Sequence, residues 1–99
     1  PTGNANFSPN GRSIAFIAYV KDNPEIFMSR LDGKGAKRLT RGSKTNYFPV
    51  FSPDGRKIAF TQGLDAGKRI GIITLKTGKI SYIKAPGDYT EVEQWLRKR

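Results

Sequence analysis

Five bases fall within eleven residues at Lys34, Lys37, Arg38, Arg41 and Lys44, with no acid among them. Tyr47 and Phe48 follow closely, and Lys68 and Arg69 form a second basic pair further on. Cations beside aromatic rings can hold phosphates and stack bases, or hold the carboxylates of an acidic protein face. The competing reading is that they are solvated strand and loop positions, where lysine keeps a sheet edge from pairing with other chains. Other chemistry is poorly supplied. The chain has no histidine and no cysteine, which removes zinc sites, disulfides and Ser-His or Cys-His catalysis. Its eight acids are scattered singly, so neither a carboxylate dyad nor a calcium loop is spelled out. Ser8 and Ser52 precede prolines and lack a nucleophile elbow, and no glycine-rich phosphate loop is present. No catalytic residue, metal site or cofactor is therefore expected.

The elements that must position these bases are set by an internal repeat. Phe-Ser-Pro-Asn-Gly-Arg-Ser-Ile-Ala-Phe at 7–16 returns as Phe-Ser-Pro-Asp-Gly-Arg-Lys-Ile-Ala-Phe at 51–60, an offset of 44 residues. Ile26 and Leu31 recur as Ile70 and Leu75 at the same offset without a gap. Periods of this length mark stacked repeats that cannot bury their faces singly. Within each repeat a first strand ends at Phe7 or Phe51. The tight turn Pro9-Asn10-Gly11 or Pro53-Asp54-Gly55 comes next, where proline presets φ, Asn or Asp caps the backbone and glycine takes φ > 0. The second strand, Ile14–Tyr19 or Ile58–Thr61, is apolar almost throughout, as for a strand covered on both faces. Loops at Lys21–Pro24 and Gly63–Lys68 lead to third strands, Glu25–Leu31 and Arg69–Leu75. Fourth strands follow at Ala36–Thr40 and Ile80–Lys84.

Four antiparallel strands in 44 residues is the period of a β-propeller blade. The expected fold is all-β: blades at residues 1–44 and 45–88, then a segment at residues 89–99. That segment reads either as a short helix, with Thr90 and Glu93 as a capping box and Val92, Trp95 and Leu96 on one face, or as the first strand of a third blade, since Trp95 follows Phe51 by 44 residues. Phe7, Phe16, Phe27, Phe51, Phe60 and Tyr82 are expected to pack between blades.

The repeated phrase, the spacing from Ile70 to Leu75 and the Arg38-Leu39-Thr40 ending together resemble the WD-like repeat of TolB-type β-propellers, over about four fifths of the chain. The resemblance implies rings of six to eight blades, of which two are a fraction. It also implies a periplasmic or extracytoplasmic setting and a scaffold for protein–protein interaction. It leaves open the propeller domain of a prolyl-oligopeptidase-like peptidase, a tricorn-like protease or a lyase. Two blades alone would leave large apolar faces wet, so either more sequence or more copies of the chain should close the ring. The first residue is Pro1 rather than methionine, which reads as a processed product or a piece of a longer chain. No apolar run is long enough to span a membrane. The net charge of +10 favours an acidic protein partner; a basic adaptor for nucleic acid or another anionic polymer is the alternative. Loop residues at Asp22–Pro24, Arg41–Tyr47 and Gly63–Arg69 are the expected contact points, because loops on a rigid scaffold carry function.

Overall fold

The computed structural model describes residues 5–83. The expected segment at 89–99 lies outside them. Among the described residues eight strands form two antiparallel sheets: β1 (Ala5–Phe7), β2 (Ser13–Val20), β3 (Asn23–Arg30) and β4 (Lys37–Arg38), then β5 (Asn46–Phe51), β6 (Lys57–Gly63), β7 (Lys68–Thr74) and β8 (Lys79–Ile83). Each sheet follows chain order, β1-β2-β3-β4 and β5-β6-β7-β8. The all-β fold of two four-stranded blades is what the repeat predicts.

Some boundaries differ from the sequence reading. The segment read as a loop from Lys21 to Pro24 is a hairpin turn of only Lys21 and Asp22, with Val20 paired to Asn23. Both turn residues have positive φ, 51° and 68°, the handedness that matches the twist of the strands they join. β4 keeps only Lys37 and Arg38, opposite Met28 and Phe27. Nor is β2 covered on both faces along its length, since Tyr19 near its end is exposed.

The Pro-Asx-Gly turns match bond for bond. Asn10 Oδ1 accepts from the Ser8 hydroxyl (2.7 Å) and the Arg12 amide (2.9 Å), and Asp54 Oδ1 accepts from the Ser52 hydroxyl (2.7 Å) and the Arg56 amide (3.0 Å). Gly11 and Gly55 sit at φ 73° and 74°, a conformation strained for any L side chain.

Strand alternation then divides the apolar residues between faces. Ala15 and Ile17 on β2 are paired with Met28 and Ile26 on β3, giving the first blade one apolar face. That face packs with Phe51, Ile58, Phe60 and Ile73 of the second blade into the main core, with Leu39, Leu75, Ile80 and Tyr82 at its margin. Ala59, Ile72 and Ile83, with Ile70 against them, form a second cluster on the far face of blade two. Repeat position is not burial: Phe51 is 1% exposed and its counterpart Phe7 58%. Blade one covers the first of these, and no described blade stands in that place for the second.

Candidate functional site

Antiparallel order places the β2–β3 turn, the β4–β5 connection and the β6–β7 turn at one end of the two sheets. The Pro-Asx-Gly turns and the β3–β4 and β7–β8 turns lie at the other. The basic segment is therefore divided. Lys34 belongs to the β3–β4 turn, where its amide donates to Asp32 Oδ1 (2.9 Å). Lys37 is exposed on the edge strand β4. Arg41 and Lys44 lie at the opposite end, on the connection that carries the chain from one blade to the next.

This connection is tied down from beneath. Asn23 Nδ2 donates to the carbonyls of Lys44 (2.9 Å) and Gly42 (3.3 Å), and Asn46 Nδ2 donates to Lys44 O (3.0 Å). The Gly63 amide donates to Thr45 O (2.9 Å), which brings the start of the β6–β7 turn alongside. With the carbonyls bonded inward, the side chains of Arg41, Ser43, Lys44 and Thr45 are exposed. Lys68, opposite Gly63 in the register, joins them at this end.

Arg38 and Arg69 have structural work instead. Arg38 Nε donates to Thr40 O (2.9 Å), and its Nη2 pairs with Glu25 Oε2 at 3.3 Å. Glu25 is fully buried, and its carboxylate also accepts from Thr40 Oγ1 (2.6 Å), Asn46 Nδ2 (3.0 Å) and Asn23 Nδ2 (2.9 Å). Asn46 Oδ1 in turn accepts from Gln62 Nε2 (2.9 Å), and Gln62 Oε1 accepts from Arg69 Nε (2.8 Å). The Arg69 guanidinium lies 3.7 Å over the Tyr82 ring. A continuous polar chain thus runs Arg38–Glu25–Asn46–Gln62–Arg69 from one blade into the other.

Sequence reasoning took both arginines as surface contacts, placed Asn23 and Asn46 only within the expected contact loops, and passed over Glu25, Thr40 and Gln62. The available signal was an acid at the head of the Ile-Phe-Met run of β3, where a lone carboxylate must find donors or stay unburied.

Tyr47 is half-buried with its ring edge-on to Phe48 at 4.9 Å. Phe48 sits at φ 57° where the β5–β6 register shifts between Tyr47 and Val50, a bulge that turns it out of the ladder. Phe48, Thr61, Lys68, Arg69 and Ile70 line a shallow cavity of about 210 Å³. At the other end, a cleft of about 240 Å³ separates the two Pro-Asx-Gly turns, with Met28, Phe51 and Leu75 among its walls. There the Ser52 hydroxyl, and after it the Arg56 amide, holds the Asp54 carboxyl below its ordinary value. Among the described residues no group of three acidic side chains is placed to hold a metal ion.

The chain is 40% identical over 77 residues to a Protein TolB homolog of Chlorobium luteolum, covering 78% of this chain and 18% of that one. The crystal structure of TolB from Acinetobacter baumannii superposes on 85% of this chain with a TM-score of 0.73 at 28% identity. These are TolB-like propeller blades. The TolB-like blades are also 35% identical over 95 residues to dipeptidyl-peptidase 5 of Porphyromonas gingivalis, covering 86% of this chain and 14% of that one. No family model matches. They span 21% of the Acinetobacter chain, so these relatives are several times longer than this sequence.

Proposed function

We propose that the two blades are part of a larger propeller that works as a non-catalytic scaffold and grips an acidic protein partner at the end carrying the β4–β5 connection. The observation behind this reading is the set of exposed cations at Lys21, Arg41, Lys44 and Lys68, none in an ion pair among the described residues, beside a backbone bonded inward. Charges on a pre-shaped connection bind with little ordering cost and steer an oppositely charged partner. The likeness to TolB proteins supports the scaffold and an extracytoplasmic setting. The remaining blades come from the same longer chain or from further copies.

Binding to a decaglutamate peptide, measured by calorimetry at low and moderate salt, tests the site. Arg41→Glu with Lys44→Glu should weaken binding at least about tenfold, through lost attraction and new repulsion. Lys34→Glu with Lys37→Glu should weaken it less than about threefold. Equal losses would mean only the net charge matters, and tighter, steeply salt-dependent binding of unrelated DNA sequences would favour the nucleic-acid adaptor instead.

The identity with a dipeptidyl-peptidase favours a second reading, in which the blades belong to the propeller of a peptidase whose catalytic groups lie elsewhere. A parent reading frame with a G-x-S-x-G segment beyond the blades would decide for it.

A further inference from the structure

Glu25 is a buried acid that the binding surface itself does not use. Its two carboxylate oxygens take four donors: Thr40 Oγ1, Asn46 Nδ2, Asn23 Nδ2 and Arg38 Nη2. Thr40 lies near the start of the β4–β5 connection and Asn46, the first residue of β5, closes it, while Asn23 holds its middle through Gly42 O and Lys44 O. One carboxylate therefore orders both ends of a seven-residue segment and the side chain that pins its centre. It also draws Arg38 onto itself, leaving Arg41 and Lys44 as the cations this segment offers to solvent.

The repeat is an internal control. Positions that the blade needs recur 44 residues on: Phe, Ser, Pro, Gly, Ile and Ala of the turn and second strand. Glu25 does not recur; Arg69 stands in its place, Gly67 in that of Asn23 and Tyr82 in that of Arg38. Blade two is built without this carboxylate, using the Arg69–Tyr82 contact where blade one has Glu25–Arg38. The cluster around Glu25 is thus a property of the first connection and not of the blade.

We infer that Glu25 is a positioning residue: it holds the Thr40–Asn46 connection in the shape that presents Arg41 and Lys44 to an acidic partner. This rests on the interaction reading above and says what makes that surface specific. A rigid cation pair selects a carboxylate spacing, whereas a loose one offers only charge.

The sign of one substitution separates the roles. Glu25→Ala removes one negative charge and frees Arg38, so a purely electrostatic role predicts tighter decaglutamate binding. Positioning predicts binding weakened at least about fivefold, with amide exchange at 41–45 accelerated at least about tenfold. Glu25→Gln keeps an acceptor for Thr40 and Asn46 and should fall between. Asn23→Ala removes the central tether with Glu25 and its three other donors intact, and should reproduce both effects if Glu25→Ala fails to fold. Unchanged or tighter binding by folded Glu25→Ala, or by Asn23→Ala, overturns the inference. If the unaltered protein binds no decaglutamate, the interaction reading fails. Exchange at 41–45 then still decides whether Glu25 orders the connection, and unaltered exchange in both variants overturns it.

Discussion

Asn10 and Asp54 hold the same place in the two turns, and each accepts the same two hydrogen bonds through one oxygen. The turn geometry needs an acceptor, not a charge, yet only the second repeat carries a carboxylate. Because Asp54 titrates below its ordinary value in the folded chain, its contribution is fully present above the unfolded value. That contribution is lost as pH falls through the lower folded value, so the window lies below about pH 4. Asp54→Asn should remove this part of the acid sensitivity and leave stability near pH 7 little changed, in urea titrations from pH 2 to 7. An unchanged acid limb would mean that the turn does not distinguish the charged form. Both turns were legible from residue types alone, since their bonds close within five residues. Glu25 was not, because its meaning depends on Asn46, which lies 21 positions away.

At the scale of strands, the blades fill one position in opposite ways. Phe16 and Phe27, paired across β2 and β3, stack with ring centroids 5.8 Å apart. Their counterparts are Phe60 and Gly71, paired across β6 and β7. Removing the second ring lets Phe60 lie over the bare backbone of Gly71, edge-on to Tyr82 at 6.4 Å. A Cβ built on Gly71 would collide with the Phe60 ring, coming within 2.6 Å of its Cε1. Gly71→Ala should therefore cost about 1–3 kcal/mol in urea unfolding, the range for overpacking a filled core. Gly71 has no positive φ, so a variant of unchanged stability would show that Phe60 can swing away without loss. The sequence displays the repeat and shows Gly71 breaking it, but not the ring that occupies the gap. Strand existence was readable from alternation and turn residues; the short span of β4 was not, because pairing partners, not propensity, set where a ladder stops.

At the scale of the whole molecule, equivalent residues differ by what stands opposite. Leu75 packs at the margin of the core between the blades, while Leu31, at the same repeat position, is 53% exposed. Leu75→Ala should cost about 2 kcal/mol, and Leu31→Ala under about 0.5 kcal/mol as a surface change. Parallel urea titrations with the solution mass from sedimentation check both. A cost at Leu31 equal to that at Leu75, together with a mass of several chains, would mean that copies of the chain cover this face. In a longer parent with a preceding blade, the two costs should converge. This follows from the logic of stacked repeats, in which each unit is stabilised by its neighbours as well as by itself.

The amino-acid order alone carries the blade: its period, its strands, its paired turns and its excess of positive charge. These depend on contacts between near neighbours or on simple sums, and one chain is enough to read them. The division of the basic segment is of another kind. Lys34 and Arg41 are seven residues apart in sequence and belong to opposite ends of the sheets, because the edge strand β4 runs between them. Arg38 faces a buried carboxylate while Lys44 faces solvent, a choice made by Asn23, Glu25 and Asn46 across the seam between blades. Long-range hydrogen bonds of this sort leave no periodic trace, since each side chain meets its partner only once both sheets have packed.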